Sequence, residues 1–342
     1  MKKKPIKIQW LTKSIQMHHY INKFKDVQYS GGMLYGIAAI NAIKSDYNIS
    51  VNIDYIKHGN FIKYYLKKHK KTIDAEICIL DPYILAFNKV DYKKYNIAMI
   101  HHIDENILNN SFLAKFFFNQ LYNNLKKVDL VVVVSKFWKS FLQKKGVKNI
   151  KIIYNSYDIN KYIFDEKDVN SLKQRLKLDI NKPTIYIGKN SFGKGIKDVL
   201  KHIDYSKYNL IATGKNNTFS NKYQCFYLSD EEFPILLKIS DIVLSMSTMP
   251  EGWNRIAHEA MLVKTPVIGS GTGGMGELLE NANQYIVSDF SLLEVKIQKV
   301  LANKQHLGNL AFDYVKNLNL KYFKNEWITV MNEARHMIQK FK

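Results

Sequence analysis

Two carboxylates, Glu251 and Glu259, stand eight positions apart in Pro250-Glu251-Gly252-Trp253-Asn254-Arg255-Ile256-Ala257-His258-Glu259-Ala260-Met261. On one continuous helix eight residues turn through about 800°, leaving the side chains roughly 80° apart. They need not share a helix. Gly252 favours a loop and Asn254 suits an N-cap, so Glu251 is expected before the helix and Glu259 within it. A second set lies in Ile185-Tyr186-Ile187-Gly188-Lys189-Asn190-Ser191-Phe192-Gly193-Lys194-Gly195. Lys189 and Lys194 there can stabilise negative charge that develops on a phosphate, and the glycines let backbone amides come close. A third is the turn Gly271-Thr272-Gly273-Gly274-Met275-Gly276-Glu277, a helix start of the kind that favours anions. Two weaker signals are Gly31-Gly32, opening a helix after the first strand, and His101-His102 at a strand end. A histidine pair can hold a metal, but no cluster of Cys or carboxylates at ligand spacing accompanies it and the chain has no Asp-x-Asp, so no metal site is expected.

These residues need strands and helices to hold them. Apolar runs at 6–11, 49–56, 75–80, 97–100, 130–134 and 150–154 read as strands, separated by amphipathic stretches at 61–71, 111–127 and 136–145. Continuous apolar strands alternating with helices predict a parallel α/β sheet covered on both faces. A polar segment over 155–182 reads as a linker with one short helix. The rhythm then repeats, with strands at 184–187, 209–213, 225–228, 242–245, 266–268 and 285–287. The tail from 311 is helical in pattern with a break near 317–319. Open α/β sheets bind ligands beyond the carboxyl ends of their strands, where Glu251 and Glu259 are expected.

The order of strand, acidic loop, helix, strand, glycine loop and helix over 241–277 resembles the donor half of retaining glycosyltransferases of the GT-B fold, in particular family 4 with its E-x7-E motif. Gly188-Lys189 through Lys194-Gly195 resembles that family's G-R-x4-K-G, with Lys189 in place of arginine. Lysine keeps the charge without the bidentate fork. The resemblance implies an α/β fold of two doubly wound Rossmann-like domains facing each other across a cleft. It implies an acceptor-side domain over 1–160, a donor domain over 161–322, and a C-terminal helix, 323–342, crossing back to the first. It also implies roles. Glu251 would contact the donor sugar, with Lys189 and Lys194 on the diphosphate and His101, or alternatively His102, near the sugar. Glu259 would bind the ribose hydroxyls. Backbone around Gly31, Gly32, Gly188, Gly252, Trp253, Asn254, Gly273, Gly274 and Met275 would approach the donor. No cofactor or metal is expected; the nucleotide-diphosphate sugar is the donor substrate. Three further positions depart from the family: Asn254 stands where it has glycine, Lys264 where glycine precedes T-P-V, and His258 where an aliphatic residue is usual.

The chain carries +21 at pH 7, and unevenly: residues 1–155 hold 26 Lys or Arg against 10 Asp or Glu, residues 156–342 hold 25 against 20. A basic face toward an anionic partner follows for the first half. The partner expected is an anionic membrane surface, docked by the helices over 61–71 and 112–127, with a glycan, lipid-linked or other hydroxyl acceptor there. Nucleic acid is the lesser alternative. Cys78 and Cys225 lie in apolar runs and read as buried thiols of a reducing compartment. No apolar run approaches the roughly 20 residues of a membrane span. The basic start leads into 6–11 without a cleavage-site pattern, so the expectation is a cytoplasmic protein, peripheral on the inner face of the membrane. The function implied is sugar transfer from a nucleotide-diphosphate sugar to an acceptor hydroxyl in glycolipid, cell-surface polysaccharide or glycan assembly. The rivals are a glycosyltransferase acting on nucleic acid, an epimerase or phosphorylase on the same fold, and a non-catalytic sugar-nucleotide-binding protein.

Overall fold

The structure, a computed structural model, describes residues 6–12, 14, 17, 19–20, 31–53, 75–88, 90–105, 112–191, 193–214, 218–219 and 221–340. The chain forms two compact units, residues 1–155 with 320–342, and residues 156–319. The first runs β1 (Lys7–Thr12), α1 (Gly31–Ile43), β2 (Asn48–Ile53), β3 (Ile77–Leu80), α2 (Pro82–Phe87), β4 (Tyr95–Ile100), α3 (Phe112–Leu125), β5 (Leu130–Val133), α4 (Lys136–Lys144) and β6 (Ile150–Ile152). Its sheet has the order β2-β1-β3-β4-β5-β6, parallel throughout. All six residues of β4 and all four of β3 and of β5 are buried, as strands covered on both faces require. Helix starts are encoded locally. Asp81 accepts from Ile84 N at 2.9 Å with Pro82 in the first turn, and Ser135 caps α4 by accepting from Trp138 N.

The second unit opens with a 3-10 turn, Ile159–Tyr162, and continues α5 (Glu166–Leu176), β7 (Thr184–Lys189), α6 (Ile196–His202), β8 (Asn209–Thr213), β9 (Thr218–Phe219), β10 (Gln224–Phe226), α7 (Glu232–Ile239), β11 (Ile242–Ser245), α8 (Arg255–Leu262), β12 (Val267–Gly269), α9 (Gly274–Asn281), β13 (Tyr285–Ile286), α10 (Leu293–Ala302) and α11 (Lys304–Val315). The sheet order is β13-β12-β11-β7-β8-β10-β9. Only β9, two residues long and too short to carry a sequence period, is antiparallel to its neighbour. From β7 the chain steps outward through β8 to β10, then returns to the other side of β7 for β11, β12 and β13. The topological switch point therefore lies between β7 and β11, where an open α/β sheet opens a crevice at its carboxyl edge.

The last helix, α12 (Leu320–Lys340), belongs to the first unit and packs on α1. Trp327 lies 6.2 Å from Trp10 and 6.5 Å from Tyr35, ring to ring, and Phe323 lies 5.0 Å from Tyr35. Tyr35 Oη donates to Ile153 O at 2.9 Å, tying the cluster to the end of the sheet. The division falls after 155 and 319, not after 160 and 322 as the sequence suggested. The reason is local: Tyr157 N donates to Leu318 O at 3.3 Å and Tyr157 bridges Asn319, so the entering and leaving strands pair inside the second unit. The helix expected over 61–71 lies outside the described residues.

Candidate active site

Three loops meet at the carboxyl edge of the second sheet, after β7 and β11, which flank the switch point, and after β12. The loop after β7 holds Gly188 (φ 101°), exposed Lys189, Gly193 (φ 76°) and Lys194. It ends at Gly195 (φ 72°), where a Cβ would stand 2.0 Å from Met246 O. That contact admits only glycine and presses this loop onto the one after β11. There Gly193 O accepts from Thr248 N at 3.0 Å and from Ser247 Oγ at 3.3 Å. The loop after β12 closes on the same segment. Thr272 Oγ1 donates to Met249 O at 2.9 Å, and Ser270 Oγ donates to Ser247 O at 2.6 Å.

Glu251 sits where the three meet. Its backbone is paired with the glycine turn: Glu251 N donates to Thr272 O at 3.3 Å, and Gly274 N donates to Glu251 O at 2.8 Å. At Gly273 (φ 67°, ψ −140°) a Cβ would lie 2.4 Å from Glu251 O and 2.6 Å from Glu251 N. Its side chain accepts from Lys194 Nζ at 2.6 Å, both groups keeping part of their surface in solvent. A cation from the loop after β7 and an anion from the loop after β11, fifty-seven positions apart, thus stand side by side at the switch point. Lys189 stays exposed on the same loop.

Asn254 starts α8 as expected and explains one departure from the family. Its φ of 71° is in the left-handed region, where glycine is easiest and asparagine is among the best alternatives. Its Oδ1 accepts from Ala257 N at 2.9 Å and its Nδ2 donates to Ser245 Oγ at 2.6 Å, binding the helix start to the end of β11. Lys264, the second glycine replacement, is also left-handed at φ 62°, with its ammonium 5.2 Å from the centre of the Phe312 ring.

Glu259 lies within α8, but it is 8% exposed and its Oε1 accepts from Arg255 at 2.9 Å. Burial lifts its carboxyl above the usual range against the opposing pull of Arg255. Arg255 in turn lies over the Tyr157 ring at 4.8 Å. This partnership was readable as a charge pair at i, i+4 and sequence reasoning passed over it. His258, the third departure, is fully buried; its Nδ1 accepts from Trp253 Nε1 at 2.9 Å and its ring lies 4.4 Å from Tyr157. Burial first, and Arg255 second, lower its pKa to about 3, so the ring is neutral. The indole donation fixes the proton on Nε2, the nitrogen turned toward the Val315 carbonyl without reaching full hydrogen-bond geometry.

In the first unit Gly31 and Gly32 begin α1, and a Cβ on Gly32 would lie 3.1 Å from His101 Cδ2. Two sequence signals sixty-nine positions apart thus touch. His101 packs edge-on against Tyr35 at 4.8 Å, and its Nε2 is buried without a hydrogen-bond partner. Burial, then His102, lower its pKa to about 3; His102 itself is exposed. Among the described residues no three His, Cys, Asp or Glu are grouped to hold a metal ion. Cys78 and Cys225 are buried free thiols.

Residues 165–317 match the family model described as glycosyl transferases group 1. A curated relative, the uncharacterized glycosyltransferase MJ1178 of Methanocaldococcus jannaschii, is 26% identical over 228 residues, which is 61% of this chain and 59% of the relative. The aligned region thus spans less than two thirds of that protein. Among solved structures, Anabaena HepE in complex with UDP-glucose superposes with a TM-score of 0.74 at 17% identity, covering 96% of this chain and all of the other. Sucrose-phosphate synthase from Thermosynechococcus elongatus gives 0.74 at 15% identity, over 97% of this chain and all of the other. WaaG, a glycosyltransferase involved in lipopolysaccharide biosynthesis, gives 0.69 at 11% identity, over 93% and 98%. The chain thus has two doubly wound α/β units of the GT-B type, and the second matches the glycosyl transferases group 1 model over nearly its whole length.

Proposed function

We propose that the chain is a retaining glycosyltransferase that moves a sugar from a nucleotide-diphosphate sugar to an acceptor hydroxyl. The observation that carries this reading is the Lys194–Glu251 pair at 2.6 Å, on loops locked together by Gly195 and Gly273. A nucleotide-diphosphate sugar presents an anionic diphosphate joined to a ring of hydroxyls. Lys194 with Lys189 suits the first and Glu251 the second, side by side as the donor requires. The amide of Met275, in the first turn of α9, adds partial positive charge. Glu259, its Oε1 held by Arg255, is the group we assign to the ribose hydroxyls.

The bond broken joins the anomeric carbon to the β-phosphate oxygen, and the bond formed joins that carbon to the acceptor oxygen on the same face. The acceptor proton passes to the departing phosphate oxygen, so no enzymic nucleophile is needed. The lysines and amides stabilise the diphosphate without a metal ion. The test is thermal unfolding with UDP-, GDP- and ADP-sugars, starting from UDP-glucose, the molecule held by HepE. Binding of one of them raises the unfolding temperature by mass action. No shift with any of them at millimolar concentration would refute the reading. Turnover is expected to persist in excess EDTA; loss restored by Mn²⁺ or Mg²⁺ would place the charge stabilisation elsewhere.

The acceptor we favour is membrane-borne, in glycolipid, cell-surface polysaccharide or glycan assembly. The support is the excess of 16 positive charges on residues 1–155 and the exposed Phe112 and Phe137 on helices that also carry lysines.

A further inference from the structure

Trp253 and His258 stand in the site without a role in the scheme above. Trp253 is 2% exposed and lies between Glu251 and the left-handed Asn254. A buried indole N–H needs an acceptor, since an unpaired one keeps the full cost of leaving water. Its acceptor is the Nδ1 of His258, 2.9 Å away and one turn into α8. His258 is fully buried, wedged against Tyr157 at 4.4 Å, and cannot swing away. The hydrogen bond therefore pins the side chain of the loop to the helix that follows it. The backbone on the other side of Trp253 is pinned to the glycine turn through Glu251.

We propose that His258 is a positioning residue: by holding Trp253 it fixes the turn that carries Glu251, and the two side chains form a unit whose members can be replaced only together. This deepens the reading above, in which Glu251 meets the donor sugar. Replacing either partner alone takes this hydrogen bond from the buried nitrogen of the other. Removing both leaves an apolar contact, and Val315 O stays satisfied because it accepts from Leu318 N at 2.9 Å. The Nδ1 acceptor can be mimicked by the Oδ1 of asparagine, which gives a conservative rescue.

The experiment compares the wild-type protein with Trp253→Phe, His258→Leu, the double variant and His258→Asn. Thermal unfolding of all five needs no ligand. Each apolar single variant is expected to lower the unfolding temperature of the second unit by about 2–8 °C. The double variant should lose clearly less than the sum, and His258→Asn should stay near wild type. Additive losses overturn the pairing. Donor binding then tests positioning, with UDP and UDP-glucose as probes, or the nucleotide and nucleotide sugar of whichever base the wild type binds. His258→Leu should weaken the nucleotide sugar about tenfold and leave the free nucleoside diphosphate within about twofold, because Glu251 meets only the sugar. Equal weakening of both, or of neither, overturns the positioning role. If the wild type binds no nucleotide sugar, the donor reading of the site fails and the positioning role with it, while the pairing is decided by the unfolding temperatures alone.

Discussion

At the scale of single residues the site is a set of charges with assigned neighbours. Lys194 is the residue on which turnover should depend most, because it joins the loop after β7 to Glu251 by an ion pair. Lys194→Ala is expected to lose about 10²–10³ in rate with the fold intact, the usual cost of one charge-stabilising donor. Near-normal turnover in the folded variant would remove Lys194 from the chemistry. Two histidines set a pH dependence of stability. His101 and His258 each have a folded pKa near 3 against about 6.5 unfolded. A lowered histidine pKa means the unfolded chain binds the proton first. The stability from keeping each ring neutral is complete above pH 6.5 and falls away as pH drops toward 3. The slope is about 1.4 kcal/mol per pH unit for each histidine. Acid unfolding of His258→Asn should show a shallower loss between pH 6 and 4 in the second unit. An unchanged slope would show that the ring is already charged in the fold.

At the scale of elements, the active edge depends on glycines that let loops touch. Gly273→Ala sets a Cβ against the Glu251 backbone in a conformation side chains avoid, at a cost of about 1–3 kcal/mol or a fall of about 2–10 °C in unfolding temperature. It should also weaken nucleotide-sugar binding more than tenfold, measured by titration below the unfolding range. Binding at wild-type strength would mean that the bridge from Glu251 to Gly273 has no part in the site. The elements themselves were legible in the sequence. Each strand expected in the second half overlaps one observed, because a strand buried on both faces writes itself as a continuous apolar run. The break at 317–319 and the N-cap at Asn254 were legible for the same reason: the information is local. The Lys194–Glu251 pair was not, since nothing local in either segment names a partner fifty-seven positions away. His258 was visible only as an odd residue. Its meaning appears when the buried indole beside it is seen to need an acceptor.

At the scale of the molecule, charge and connectivity matter most. The positive excess of residues 1–155 includes exposed Lys115, Lys126 and Lys127 on and after α3 and exposed Lys136 and Lys144 on α4, with Phe112 83% and Phe137 41% exposed on the same two helices. Each lysine near an anionic leaflet contributes about 1 kcal/mol. Co-sedimentation with vesicles should rise with anionic lipid, fall with salt, and weaken when Lys126, Lys127 and Lys144 become glutamine. Equal recovery in the supernatant with neutral and anionic vesicles at low salt would favour a soluble saccharide, protein or nucleic-acid acceptor.

The return of α12 to the first unit also sets an order of assembly. A chain is made from its amino end, and domains generally fold in that order as they emerge. Here the aromatic cluster of Trp10 and Tyr35 lacks Phe323 and Trp327 until residues 156–319 have been made, whereas residues 156–319 form one uninterrupted stretch. The segment made second is therefore the first that can finish folding. A truncation after residue 319 strips Phe323 and Trp327 from the core of the first unit and leaves residues 156–319 whole.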